Sequence, residues 1–156
     1  MNGTYLLILR LDEALSGLQI GRLGCFAFAS GFYLYVGSAY GGGGLPARLN
    51  YHRQRIKVHP HWHVDYLRPH TALVEIWSAS CTPRMECVWA RALLHMPGLS
   101  VPVRHFGASD SNCPSHMLYG SRKPALGLLT STLLCSMLDV TRQNITLEVI
   151  SCEDES

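Results

Sequence analysis

GFYLYVGSAYGGGGLPARLNYH, residues 31–52, is the stretch whose reading decides the fold. Phe32 to Val36 is a dense aromatic and β-branched run, a strong strand signal. Gly37 and the run Gly41 to Gly44 follow, too flexible for a strand or helix interior. Leu45, Arg48, Leu49 and His52 then recur at i, i+3, i+4 and i+7, so a helix is expected from Leu45 to about Arg55. Arg48 and His52, four residues apart, share one face of that helix. A glycine-rich loop before a helix can cradle phosphate. No Gly-Lys-Ser/Thr follows this one, however, and a flexible connection explains the glycines equally well.

Working outward, Gly3-Thr4-Tyr5 leads into Leu6-Leu7-Ile8-Leu9, a continuous apolar run that reads as a buried strand over 4–11. Leu18–Gly21 and Gly24–Ala29 read as a short pair of strands. Beyond the central stretch, His61–Tyr66 suggests a short helix and Ala72–Ser78 a strand with Glu75 near its middle. Pro83–Met96 has helical character, Pro83 suiting a first turn. Val101–Val103 and Met117–Tyr119 could be short extended pieces, and Ile145–Ile150 a further strand. The balance is an α+β domain with a small, mainly antiparallel sheet flanked by helices.

At 156 residues the chain is expected to hold one domain over 1–120 and a tail over 121–156. The tail is expected to be dispensable for the site. The rival reading is that its apolar segment, 125–138, covers a face of the sheet. Residues 1–138 carry 12 Lys/Arg against 6 Asp/Glu, and residues 139–156 carry one Arg against five acids. The body is therefore basic and the end acidic. Eleven of the thirteen cations are Arg, the residue suited to bidentate phosphate contact. Arg53, Arg55 and Lys57 cluster beside Arg48 and His52, as a solvated helix face or as a polyanion surface.

No secretory signal is visible and no apolar run is long enough to span a bilayer, so a cytoplasmic protein is expected. Its six cysteines are then reduced thiols. Cys81, Cys87, Cys113 and His116 could make a structural zinc set, but no C-x₂-C pair is present, and free buried thiols are the alternative.

The motifs taken together resemble a known family. Gly3-Thr4-Tyr5 and Tyr35-Val36-Gly37 are similar to the paired GIY and YIG motifs of GIY-YIG endonucleases, with Arg48 and then His52 on the next helix and Glu86 on a later one. The wider pattern, including HWHVDYL at 61–67, FGASD at 106–110 and CPSH at 113–116, resembles the small stand-alone Uri-type branch, formerly a domain of unknown function. The resemblance covers roughly residues 3–120. It implies a GIY-YIG-like nuclease fold and divalent-metal-dependent hydrolysis of nucleic-acid phosphodiesters, DNA being the expected substrate. It implies Tyr5, Tyr35, Arg48 and His52 as catalytic residues, and Glu86 as the carboxylate holding Mg²⁺ or Mn²⁺. Glu75 is the rival carboxylate. Gly37, Arg53, Arg55 and Lys57 are the candidate nucleic-acid contacts. The chain also departs from the pattern. The motif pair is separated by an extra segment, Leu18–Ala29, and Gly98 stands where the family often has asparagine. The alternative is therefore a nucleic-acid-binding module that keeps the fold without turnover. A zinc-stapled interaction protein is a third reading.

Overall fold

A computed structural model describes residues 1–80, 82–108, 112–138, 140–141 and 145–152. Cys81, Ser109 and Asp110, part of the motifs above, lie outside the described residues, as does the acidic end from Glu153.

The chain is an α+β fold. Its centre is β1 (Gly3–Leu11), paired antiparallel on one side with β4 (Gly31–Ala39) and on the other with β5 (Ala72–Ser80). β6 (Met117–Gly120) and β7 (Glu148–Ser151) complete an antiparallel sheet in the order β6-β4-β1-β5-β7. The extra segment is a separate hairpin, β2 (Leu15–Ile20) and β3 (Gly24–Phe28).

The continuous apolar run of β1 has a simple cause: both faces of the sheet are covered. Side chains alternate across a strand. Tyr5, Leu7 and Leu9 enter one layer with Tyr33 and Tyr35, while Leu6 and Ile8 enter the other with Leu34 and Val36. The first layer is closed by α1 (Gly44–Arg53) through Leu45 and Leu49, and by α2 (His63–Leu67) through Val64 and Leu67. The second is closed by α3 (Glu86–Leu94) through Trp89 and Leu93, and by α4 (Leu126–Leu138) through Leu129, Leu133 and Met137. The apolar segment of the expected tail is thus a helix that packs one face, Leu129, Leu133 and Met137, against α3 and leaves Leu126, Leu128 and Leu138 exposed. Residues 101–103 form no strand, 102 and 103 being bends, and only Ser100 forms a bridge, to Tyr119. Among the described residues, no helix is long and apolar enough to cross a membrane.

Candidate active site

β1 and β4 place their motifs side by side: Tyr5 is the cross-strand partner of Gly37, and Leu7 of Tyr35. Gly37 is required by this approach, since a Cβ there would lie 2.4 Å from the Tyr5 ring and hydroxyl. The second tyrosine of the stretch is Tyr35 and not Tyr33, whose hydroxyl instead donates to the Ala29 carbonyl at 2.6 Å. The glycine run turns the chain into α1. Gly44 has φ 59, and the next amide, Leu45 N–H, donates to Met1 O at 2.8 Å. That connection points Arg48 back over the end of the sheet.

The result is a polar cavity of about 230 Å³, walled by Tyr5, Tyr35, Arg48, Trp62, Glu86 and His116 among others. Arg48 is held at two points. Its Nη1–H donates to the Ser38 carbonyl at 3.1 Å, and its guanidinium carbon lies 4.3 Å from the Trp62 ring centroid. A guanidinium has five N–H donors, so others remain to meet an anion. Trp62 is itself set by Asp65. One oxygen of that buried carboxylate accepts from Tyr51 Oη–H at 2.6 Å, His61 N–H at 2.8 Å and Trp62 N–H at 2.9 Å.

Tyr5 and Tyr35 are buried, 1% and 4% exposed, yet both reach the cavity wall. Burial pushes the Tyr5 phenol up to about 12, although the charge and hydrogen bond of Arg48 pull it down. Burial holds Tyr35 well above the ordinary phenol value. Both are neutral phenols near pH 7. His52 stands behind Tyr5, its Nε2 2.8 Å from the phenol oxygen. Burial lowers its pKa to about 3 against the opposing pull of Asp65, so the ring is neutral and acts as a hydrogen-bond partner rather than a cation.

Glu86 opens α3, and its Oε2 accepts from the Ser38 hydroxyl. It is the only carboxylate among the described residues lining the cavity. Facing the same cavity, His116 is 7% exposed, and its Nε2 is buried without a hydrogen-bond partner. The backbone fixes it there: His116 N–H donates to Phe106 O and its carbonyl accepts from Val36 N–H, both at 2.8 Å. A carboxylate and an imidazole lining one cavity suit a divalent ion that keeps most of its waters. Among the described residues, no group of three or more His, Cys, Asp and Glu is placed to hold a metal ion.

Other sequence candidates lie elsewhere. Glu75 is buried in β5, paired with Lys123 and accepting from Trp77 Nε1 at 3.0 Å, and borders a different cavity. Arg55 donates to Pro69 O at 3.0 Å, Lys57 donates to Gln54 O, and Arg53 is exposed on the outer side of α1. None of these three basic residues lines the cavity. Gly98 and the exposed Asn112 do not line it either. His63 is a structural pin, its Nδ1 accepting from Gly107 N–H at 2.8 Å. Of the zinc candidates, Cys113 Sγ lies 3.9 Å from the Cys87 carbonyl, while His116 faces the cavity instead.

Sequence reasoning missed Trp62 as the platform of Arg48, Ser38 as the partner of Glu86, Arg84 at the rim and His116 in the wall. Trp62 and His116 sit inside the HWHVDYL and CPSH motifs, which was the available signal. Arg84, its guanidinium 4.6 Å from the Tyr40 ring centroid, had none.

Fold and site together define an α+β domain with a Tyr-Tyr-Arg-Glu pocket at the end of its central strand pair. The chain belongs to the family described as domain of unknown function DUF123, whose model matches residues 4–136 and so runs into α4. No significant match was found among curated proteins or among solved structures.

Proposed function

We propose that this protein is a divalent-metal-dependent endonuclease of the GIY-YIG type, hydrolysing phosphodiester bonds of nucleic acid, with DNA the expected substrate. The observation that carries the reading is the convergence of five residues from four separate elements. Tyr5 and Tyr35 come from β1 and β4, Arg48 from α1, Glu86 from α3, and His52 backs Tyr5. Each answers a need of the reaction. A phosphodiester is anionic, and its transition state carries more charge than its ground state. Arg48 is held with donors to spare over the place where that charge develops. Glu86 would hold Mg²⁺ or Mn²⁺, which when bound neutralises phosphate charge and acidifies its water.

Tyr5 is a neutral phenol whose oxygen lies 2.8 Å from His52 Nε2 and is also bonded to Arg48. From the cavity wall it would orient the attacking water toward phosphorus. The new P–O bond forms to that water as the opposite P–O bond breaks. The water's proton passes to solvent and the leaving oxygen takes one up. Tyr35, kept protonated by burial, donates its O–H to a phosphate oxygen.

The second reading is a binding module without turnover. Gly98, at the position where the resemblance expects asparagine, lies outside the cavity and favours it. Incubation with single-stranded, duplex and branched substrates, with and without Mg²⁺ or Mn²⁺, tests both readings. Metal-dependent cleavage is expected. Tight binding with no cleavage under any divalent ion leaves the second reading standing.

A further inference from the structure

The reaction pocket has two neighbouring cavities. Tyr40, Arg48 and Trp62 also wall a second cavity, of about 380 Å³, on the outer side of α1. His61 belongs both to that second cavity and to a third, of about 770 Å³, between α2 and the β2–β3 hairpin. The three cavities are therefore neighbours, following one another from Glu86 to Arg22 at the hairpin turn.

The reaction pocket is polar, while the two outer cavities present mainly apolar surface with a few cationic and polar side chains. Arg84, Arg48 and Arg22 are spaced along the series, with Gln19, His59 and His61 between or beside them. Among the described lining residues, Glu86 at the inner end is the only carboxylate. Trp62, Tyr51 and Tyr66 offer partly exposed rings. The hairpin is a firm wall, because Ile20 is fully buried in the first layer and Gly21 packs on the Tyr66 ring, a Cβ there lying 3.4 Å from it. Spaced guanidinium groups track a phosphate backbone, and partly exposed aromatic faces take bases of any sequence.

We infer that the nucleic-acid strand carrying the scissile phosphate leaves the reaction pocket along a groove formed by these cavities and is gripped at its far end by Arg22 on the β2–β3 hairpin. The inference rests on the proposed nuclease reading and gives the inserted hairpin a role, which is to extend the substrate contact beyond the reacting phosphate. It also moves the polyanion surface away from Arg53 and Arg55, which line none of the three cavities.

The test is fluorescence anisotropy of an end-labelled oligonucleotide, a single strand of about twenty nucleotides so that it outreaches one site of ~4–16 nucleotides, across a salt series. Wild type, Arg22→Ala, Arg22→Glu and an Arg53→Ala/Arg55→Ala double variant are compared, in parallel with hydrolysis of bis(p-nitrophenyl) phosphate, which fills only the reaction pocket. Arg22→Ala is expected to lower the slope of log K against log salt by roughly 0.7, the value for one phosphate on a single strand. Arg22→Glu should weaken binding further. Both should leave hydrolysis of the small diester unchanged, and the double variant should keep the wild-type slope. Wild-type slopes in both Arg22 variants, or a slope lost only in the double variant, overturn the groove while leaving the nuclease reading intact. A wild type that binds no oligonucleotide, or binds an acidic peptide equally well in the same groove, overturns the groove too. A wild type that binds through Arg22 but hydrolyses neither substrate supports the groove and removes the nuclease reading.

Discussion

Both faces of the central sheet are covered, and they differ in what they bury. The α3/α4 layer is mostly apolar, built from Leu6, Ile8, Val36, Trp77, Trp89 and Leu133, with the Glu75 carboxylate bonded to Trp77 and paired with Lys123. The α1/α2 layer is studded with polar groups: Tyr5, Tyr35, His52, Asp65 and Arg68 are all 4% exposed or less. Buried polar groups are costly unless they are hydrogen-bonded. Here they are bonded chiefly to one another and to carbonyls. Arg68 donates to His52 O at 3.0 Å and Thr71 O at 2.8 Å, and Asp65 gathers three donors on one oxygen. The contrast amounts to a division of labour. One layer stabilises the sheet, while the other keeps phenols and an imidazole neutral next to a cavity.

The largest test of that division removes part of the dry layer. A chain ending at Ser121 loses Leu129, Leu133 and Met137, each worth roughly 1.5–3 kcal/mol of burial. That sum rivals the ~5–15 kcal/mol net stability of a typical domain. The shortened chain should lose its cooperative thermal melt, measured by circular dichroism. A sharp melt near that of the full chain would show that α4 only leans on the domain.

Next comes the polar layer. Glu86→Gln keeps size but removes the charge that would hold the ion, and should cut cleavage by about 10²–10³, the cost of losing one electrostatic stabiliser. Oligonucleotide affinity should stay level or rise. Arg48→Ala should reduce both, since on the proposed reading the guanidinium would meet phosphate in ground and transition states alike. Glu75→Gln, outside the cavity, should leave the rate per folded molecule unchanged. Loss of activity in Glu75→Gln but not in Glu86→Gln would place the metal on the other carboxylate.

A smaller effect is expected from Tyr5→Phe. It orphans the buried Nε2 of His52, costing about 1–3 kcal/mol of stability. It should also slow cleavage without changing oligonucleotide affinity. Denaturant titration and single-turnover kinetics separate the two effects. Wild-type stability and rate would remove Tyr5 from both roles.

The last effect is in pH. His52 has its ordinary value near 6.5 in the unfolded chain and about 3 when folded, because burial opposes its charge. Between those values the unfolded chain binds the extra proton. The stability is therefore complete above about 6.5 and is lost as pH falls toward 3. His63 and His116, also lowered by burial, add in the same direction. His52→Gln should flatten this acid limb in melts between about pH 7 and 4, the span in which a histidine so shifted takes up its proton on unfolding. An unaltered limb would assign it to the other histidines.

Much of this was legible in residue order. The run Leu6 to Leu9 named a strand buried on both faces. Phe32 to Val36 named its partner, and Leu45, Arg48, Leu49 and His52 named a helix whose register survives in α1. These are local signals: side-chain period, backbone freedom and spacing on one element suffice to read them. His61–Tyr66 was legible as a short helix but displaced, because Asp65 accepts the His61 and Trp62 amides and α2 begins only at His63.

Sequence by itself determined the α+β class, the central strand pair, the glycine turn into α1 and the identity of Tyr5, Tyr35, Arg48, His52 and Glu86 as candidates. Tertiary structure alone decided which of the basic residues faces the cavity. Arg48 is pinned there by Ser38 and Trp62, while Arg55 and Lys57 direct donors to nearby carbonyls. It alone brought Glu86 to Ser38, 48 residues away in the chain, and His116 to the same wall. It alone turned an apolar segment near the end of the chain into the cover of α3. The physical reason is common to all three. Such contacts form between elements far apart in sequence, and packing the two faces of the sheet selects them, a choice that neither period nor composition encodes.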